Sequence, residues 1–195
     1  TMKKIFSLLS GLIIITTPQL KFPQAAISNI IIHARLYLPD SQNGYYRGTR
    51  FDWSGNIASL TYKGHSYFGQ WFVKYSPEIH DAIMGPVEEF TALDYMATKP
   101  GDSFVKIGVG ALTKPDDQPF TFSKLYPIVN QGMWSVKKHA DKVEFTHLLK
   151  DKVYSYKYVK TVQLTKDKPE LVLFHTLKNT GARTIETSVY DHTFF

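Results

Sequence analysis

The stretch ETSVYDHTFF, residues 186–195, carries the side chain best suited to proton transfer. At the two-residue period of a strand, His192 shares one face with Tyr190 and Phe194. A histidine held between aromatic rings can act as a general acid. It can equally be a core histidine whose ring is satisfied by a backbone carbonyl. The pattern leaves both interpretations open and makes His192 the candidate catalytic residue.

A second group of chemically active side chains lies in GYYRGTRFDWSG, residues 44–55, which combines Arg47, Arg50 and Asp52 with aromatic rings. Two guanidinium groups beside rings can clamp sugar hydroxyls or a carboxylate. The alternative is a well-paired edge strand whose arginines stack on tyrosine. Arg47 and Arg50 are therefore candidate substrate-binding residues.

A third group is the carboxylate pair of GPVEEF, residues 85–90, where Glu88 and Glu89 follow a Gly-Pro turn. Neighbouring residues of a strand point to opposite faces, so at most one of the two can enter a given cleft. Both are retained as candidate substrate-binding residues.

Several other chemistries are excluded by the sequence. It contains no phosphate-cradling glycine loop, no paired Cys-x-x-Cys, no His-Glu-x-x-His helix and no Gly-x-Ser-x-Gly elbow. Neither a metal nor a cofactor is predicted, because the seven histidines never stand at metal-ligand spacing: His33, His65, His80, His139, His147, His175 and His192.

The elements that must position these residues are predominantly strands. Runs rich in β-branched and aromatic residues alternate with turn signals such as Lys63-Gly64 and Ala140-Asp141. The predicted strands lie within 29–40, 44–53, 57–69, 104–114, 134–149, 153–164 and 170–179, and only 76–90 is irregular or briefly helical. In the run 153–164 one face carries Tyr154, Tyr156, Tyr158, Lys160, Val162 and Leu164. Many strands and little helix favour an all-β, antiparallel sandwich.

The N-terminus predicts a secretory signal peptide over residues 1–26. Two lysines precede an apolar run at 5–15, and the small pair Ala25-Ala26 follows. The run is too short for a comfortable membrane span, so no stable span is expected after removal of the signal. One domain would then occupy residues 27–195 in the periplasm or outside the cell.

Charge and cysteine content narrow the partners further. Removal of residues 1–26 takes away three lysines and no acid, which lowers the formal charge from +6 to +3. No dense Lys/Arg cluster remains, so nucleic acid is not a predicted partner. With no cysteine, the hydrophobic core alone must hold the exported chain together.

The stretch LKNTGARTIETSVYDHTFF, residues 177–195, resembles a segment of galactose mutarotase-like (aldose 1-epimerase-like) proteins. There an Asn-Thr-Gly turn leads into a strand bearing a histidine followed by an aromatic pair. YYRGTRFDWSG and GPVEEF also resemble secreted bacterial members of that superfamily. The resemblance extends from about residue 30 to residue 195 and implies a large antiparallel β-supersandwich with a sugar cleft on its concave face.

The resemblance also implies roles for single residues. His192 would be the general acid that protonates the pyranose ring oxygen, and Arg50 or Arg47 with His65 would bind substrate oxygens. In the family, a glutamate from a strand further downstream removes the anomeric proton, and no cofactor is needed. The expectation is therefore a supersandwich that is incomplete at its C-terminus and lacks the catalytic base.

Two functions remain open at this point. One is an aldose 1-epimerase-like isomerase, provided that a longer parent chain supplies the base. The other is a non-catalytic carbohydrate-binding β-sandwich module of a polysaccharide-utilisation system. Both predict a monosaccharide or oligosaccharide as the partner.

Overall fold

The chain is all-β, as predicted. A computed structural model describes residues 22–195, and in this part of the chain thirteen strands and no helix are found. The strands are β1 (Gln24–Ser28), β2 (Ile32–Tyr37), β3 (Asn56–Tyr62), β4 (His65–Ser66), β5 (Gly85–Phe90), β6 (Ser103–Lys106), β7 (Gly110–Thr113), β8 (Ile128–Asn130), β9 (Met133–Lys138), β10 (Lys142–Lys150), β11 (Ser155–Leu164), β12 (Leu171–Asn179) and β13 (Val189–Phe194).

These strands form four antiparallel sheets. Their strand orders are β1-β2-β3-β4, β12-β11-β10-β9, β6-β7-β8 and the two-stranded β13-β5. The first two sheets pack against each other through apolar side chains, among them Leu36 and Ile57 from one sheet and Phe145 and Val162 from the other. Full burial of each such side chain contributes roughly 1.5–3 kcal/mol, so this contact stabilises the packing of the two sheets.

The alternation predicted for β11 is confirmed. Tyr154, which precedes the strand, and the five in-phase residues from Tyr156 to Leu164 are all buried, whereas Lys157 between them is exposed. The buried row includes a lysine, Lys160, among apolar and aromatic side chains. A buried ammonium group needs charged or hydrogen-bonding partners, so the interior beside β11 must contain a polar site.

Both predicted tight turns are confirmed. The hairpin of β9 and β10 turns at residues 139–141, and β3 connects to β4 through Lys63 and Gly64. These two residues have positive φ angles of 48° and 79°, which suits a two-residue hairpin.

Two strand predictions are wrong, and part of the stretch predicted as irregular or briefly helical, residues 85–90, instead forms β5. Residues 104–114 form a hairpin, β6 and β7, because Gly108 adopts φ 78° and Gly110 φ 142°, conformations that interrupt an extended chain. Residues 44–53 form a buried loop, in which side chains rather than a neighbouring strand form hydrogen bonds with some of the backbone N–H and C=O groups. The Trp53 Nε1–H donates to the Gly48 carbonyl at 2.8 Å, for example.

The predicted signal peptide falls largely outside the described residues. The structure begins at Phe22, whose ring packs edge-on against Tyr37 at a centroid distance of 5.5 Å. Ala25 and Ala26, the predicted cleavage region, lie within β1, so the predicted boundary at residue 26 would divide that strand. In residues 22–195 no helix is long and apolar enough to cross a bilayer.

One histidine belongs to the core. His147 on β10 is fully buried, its Nε2 lies 2.8 Å from the Gln131 carbonyl, and its Nδ1 lies 3.1 Å from the Tyr156 hydroxyl. The ring stacks on Trp134 at a centroid distance of 4.2 Å. Burial lowers the pKa of His147 to about 4, although the bond to Gln131 opposes the shift. In the folded protein, the His147 ring is therefore neutral at pH 7.

We predict an acid-sensitive stability that depends on His147. Because its folded pKa lies below the unfolded value of 6.5, its contribution is complete above that pH and is lost as the pH falls towards 4. Between pH 7 and pH 5 the loss attributable to this residue is about 2 kcal/mol. Urea unfolding at both pH values measures it as the difference between the wild type and His147→Gln, which share all other titrating groups. An identical pH dependence in the two proteins would contradict the assignment.

Candidate functional site

The candidate site is built on the two-stranded sheet of β5 and β13. The strands are antiparallel, with Tyr190 opposite Glu89, Asp191 opposite Glu88 and His192 opposite Val87. Since side chains alternate along both strands, the two faces of this pair carry different polar groups. Glu88 and Glu89 do point to opposite sides, as the spacing predicts.

On one face Glu88 meets a lysine and a histidine from the neighbouring sheet. Its carboxylate forms an ion pair with the Lys160 ammonium group of β11, and its Oε1 lies 2.7 Å from His175 Nε2 of β12. Lys160 also donates to the Ser54 carbonyl at 3.0 Å, and its side chain, like that of Glu88, is almost fully buried. We call Glu88, Lys160, His175 and the nearby Asp52 the Glu88 cluster.

The pKa values of the two carboxylates in the Glu88 cluster are shifted in opposite directions. Burial disfavours ionisation of Glu88, but the Lys160 charge and the hydrogen bonds from His175 and Lys160 outweigh it and lower the pKa of Glu88 to about 2. Asp52 accepts a hydrogen bond from the Tyr158 hydroxyl at 3.0 Å, and burial raises its pKa to about 6, against the Lys160 charge. Glu88 is thus a fixed anion that balances Lys160.

On the opposite face Glu89 organises a second group. Its Oε2 accepts hydrogen bonds from Arg50 Nε at 2.7 Å and from the Tyr190 hydroxyl at 2.5 Å, and its Oε1 lies 3.8 Å from Lys106 Nζ. Burial lowers the pKa of Lys106 to about 8, against the attraction of Glu89. The Arg50 guanidinium also lies 4.2 Å from the centre of the Phe122 ring.

His192 lies on the same face as Glu89. Its ring stacks on Phe194 at a centroid distance of 4.0 Å and meets the ring of Phe51 edge-on at 5.9 Å. Phe194 in turn stacks on Trp71 at 5.1 Å, so three rings form a continuous pile. The Nδ1 atom of His192 is buried without a hydrogen-bond partner, while the residue as a whole is half-buried. Nε2 is therefore the atom left to meet a ligand.

Exposed aromatic rings flank these polar groups. Trp71, Phe122 and Tyr190 are 45%, 48% and 50% exposed, respectively, although rings of this size are usually well buried. Trp71 is linked to His192 through Phe194, and Tyr190 is linked to Arg50 through Glu89. We call the three rings, together with Arg50 and His192, the aromatic surface.

The structure therefore separates the predicted site residues. It brings Arg50, Glu89 and His192 to one face, whereas Glu88 lies on the other. Arg47 lies in a different cleft, where its Nη1 is 3.4 Å from the Ser41 carbonyl. His65 is exposed on the two-residue strand β4 and, within the described residues, forms no hydrogen bond or ion pair with the others.

Sequence reasoning missed several members of the two groups. Lys160 had a usable signal, because it stands in phase with the tyrosines of β11, and Tyr190 stands two residues from His192. Trp71 and Phe122 come from irregular segments, where no periodicity indicates a direction. Lys106 joins the site only through the fold.

Comparisons of the chain with protein-family models, curated proteins and solved structures found no match. The resemblance to galactose mutarotase-like proteins therefore stays a prediction. Across residues 22–195, no group of three or more acidic, histidine or cysteine side chains is arranged to hold a metal ion.

We predict that Lys160→Met destabilises the fold by about 3–5 kcal/mol, because it leaves Glu88 buried without its ammonium partner. Urea unfolding at pH 7 measures the loss. Lys157→Met, on the exposed side of the same strand, is the matched control and changes stability by about 0.5 kcal/mol or less. Adding Glu88→Gln to Lys160→Met should recover part of the loss. Equal stability of the two lysine variants would show that Glu88 does not depend on Lys160.

Proposed function

We propose that this chain is a carbohydrate-active protein that binds a sugar on the aromatic surface, with His192 as its proton-transfer residue in an aldose 1-epimerase-like reaction. One observation carries the proposal: His192 shares a face with the Arg50–Glu89–Tyr190 group and with exposed rings. The predicted secretory signal would bring this site to sugars outside the cytoplasm.

The chemistry of a pyranose suits this surface. One face of the sugar ring is apolar and can stack on a flat aromatic side chain such as Trp71, while its hydroxyl edge requires hydrogen-bond donors. Arg50 uses Nε to hold Glu89, and its Nη2 donates to the Tyr190 hydroxyl at 3.4 Å, so the N–H groups of Nη1 are the part of its planar fork that would meet hydroxyl oxygens. Glu89 and Phe122 hold the guanidinium in place, so little side-chain freedom is lost on binding.

His192 would supply the acid of the ring-opening step. The imidazolium donates its proton to the pyranose ring oxygen while a base removes the proton of the anomeric hydroxyl, and the bond between the anomeric carbon and the ring oxygen breaks. The open aldehyde rotates and closes from the other side; closure returns the proton of the attacking hydroxyl to His192, and the protonated base gives its proton to the new anomeric oxygen. The reaction consumes no cofactor and leaves no net change other than the anomeric configuration.

The identity of the base decides between the two candidate functions. Glu89 already accepts hydrogen bonds from Arg50 and Tyr190, with Lys106 nearby, so its carboxylate is engaged by protein groups. The ring of His192 packs on Phe51, Tyr190 and Phe194, and the histidines that form ion pairs with carboxylates among residues 22–195 are His80 and His175, not His192. This observation favours the second candidate, a non-catalytic carbohydrate-binding module that uses the same surface.

We expect Trp71→Ala to weaken the binding of galactose or glucose by at least about fivefold, because stacking of the sugar on one aromatic ring contributes on the order of 1 kcal/mol or more. Saturation-transfer NMR with the full chain measures the affinity. Phe174→Ala, which removes another exposed ring from β12, is the matched control and should bind normally. Equal affinity of the two variants, or no saturable binding by the wild type, would contradict the proposed site.

Catalysis is tested separately by the rate of exchange between α and β anomers, followed by polarimetry. If the chain is an epimerase, the wild type accelerates exchange and His192→Gln abolishes the acceleration by at least about a hundredfold while sugar binding persists. If the wild type binds sugar without accelerating exchange, the epimerase proposal fails and the binding-module function holds.

A further inference from the structure

A second cleft lies away from the aromatic surface. It has a volume of about 560 Å³, and its lining includes Ser41, Arg47, Trp53, Glu78, Asn130 and Gln131. Its walls come from the loop after β2, the turns before β5 and the connection between β8 and β9. None of the residues of the aromatic surface lines it.

Arg47 is incompletely satisfied in this cleft. Its Nε is buried and has no hydrogen-bond partner, and its Nη1 makes only a long contact of 3.4 Å with the Ser41 carbonyl. Within residues 22–195, Arg50 and Arg183 form ion pairs with Glu89 and Asp94, whereas Arg47 has no carboxylate within 4.0 Å. A desolvated donor without a partner costs about 1–3 kcal/mol, which a bound acceptor would offset.

The position of Arg47 is set by its surroundings. Its backbone N–H donates to the Pro77 carbonyl at 2.7 Å, and the next residue, Gly48, accepts a hydrogen bond from the Trp53 indole. The guanidinium is therefore presented from an anchored backbone. A preorganised planar fork binds a planar oxyanion with little loss of conformational freedom.

The charges of the cleft define the class of ligand. Arg47 is the cationic side chain of the lining and Glu78 the anionic one, so the cleft has no net charge. This balance favours a monoanion over a dianion such as phosphate, and two parallel N–H donors match the two oxygens of a carboxylate. Exposed Gln131 and Ser41 at the cleft offer polar contacts to the rest of the ligand.

We propose that this cleft is a binding site for the carboxylate of a small organic acid of sugar size, such as a uronic acid, with Arg47 as its principal ligand. The site goes beyond the proposed function, because it shares no residue with the aromatic surface. Glu78 limits its affinity by repelling the bound anion.

The Arg47 Nε–H group gives a direct readout. In nitrogen–proton NMR spectra of the full chain, titration with sodium glucuronate should shift this resonance in a saturable manner, whereas glucose at equal concentration should leave it unchanged. Inorganic phosphate should bind more weakly than glucuronate. Tighter binding of phosphate would overturn the assignment to carboxylates, and a resonance that glucuronate does not move would overturn the site.

Two variants with opposite expected effects complete the test. Arg47→Gln should weaken glucuronate binding at least tenfold, while Arg35→Gln, the loss of another arginine that has no carboxylate partner among the described residues, should have no effect. Glu78→Gln, at an exposed position, should strengthen binding about two- to fivefold. His192→Gln should bind glucuronate normally, which separates this site from the sugar site. Equal affinities of the Arg47 and Arg35 variants, or no gain from Glu78→Gln, would overturn the proposal.

Discussion

The burial of two neighbouring carboxylates on β5 is the constraint on which the rest of the structure depends. Glu88 is 1% exposed and Glu89 is 9% exposed, and a buried carboxylate without partners would be neutralised or would unfold the strand. Their alternation requires cations on both sides of β5 at once. Lys160 provides the cation on one side, where His175 adds a hydrogen bond, and Arg50 with Lys106 provides the cations on the other. Through these contacts β5 holds the sheet of β9 to β12, the loop 44–53 and the β6–β7 hairpin in fixed positions relative to one another.

The placement of β13 follows from the same constraint. On one face of the strand pair, Tyr190 donates a hydrogen bond to Glu89. On the opposite face, burial and the nearby charge of Glu88 raise the pKa of Asp191. A shift of one residue in this pairing would exchange the faces of His192 and Asp191. The histidine would then meet Lys160 instead of the aromatic surface, so the register of β13 decides which chemistry the surface offers.

Local pattern was sufficient for part of this arrangement. Alternation predicted the buried face of β11, the opposed directions of Glu88 and Glu89, and the shared face of Tyr190 and His192. It failed for residues 44–53, where hydrogen bonds to side chains replace those to a neighbouring strand. For the same reason, the sequence pattern could not show that Arg47 and Arg50 point to different sites. An irregular loop has no periodicity from which the direction of a side chain can be predicted. The pairing of β5 with β13 joins residues about a hundred positions apart, and no local rule encodes it.

The account rests most directly on the hydrogen bond between Glu89 and Tyr190, because it holds His192 on the side of the aromatic surface. A double-mutant cycle of Glu89→Gln and Tyr190→Phe, measured by urea unfolding at pH 7, isolates its free energy. We expect a coupling of about 1–2 kcal/mol, as for a partly buried hydrogen bond to a charged acceptor. A coupling indistinguishable from zero would show that β13 does not lie on β5 in this register and would remove His192 from the proposed site.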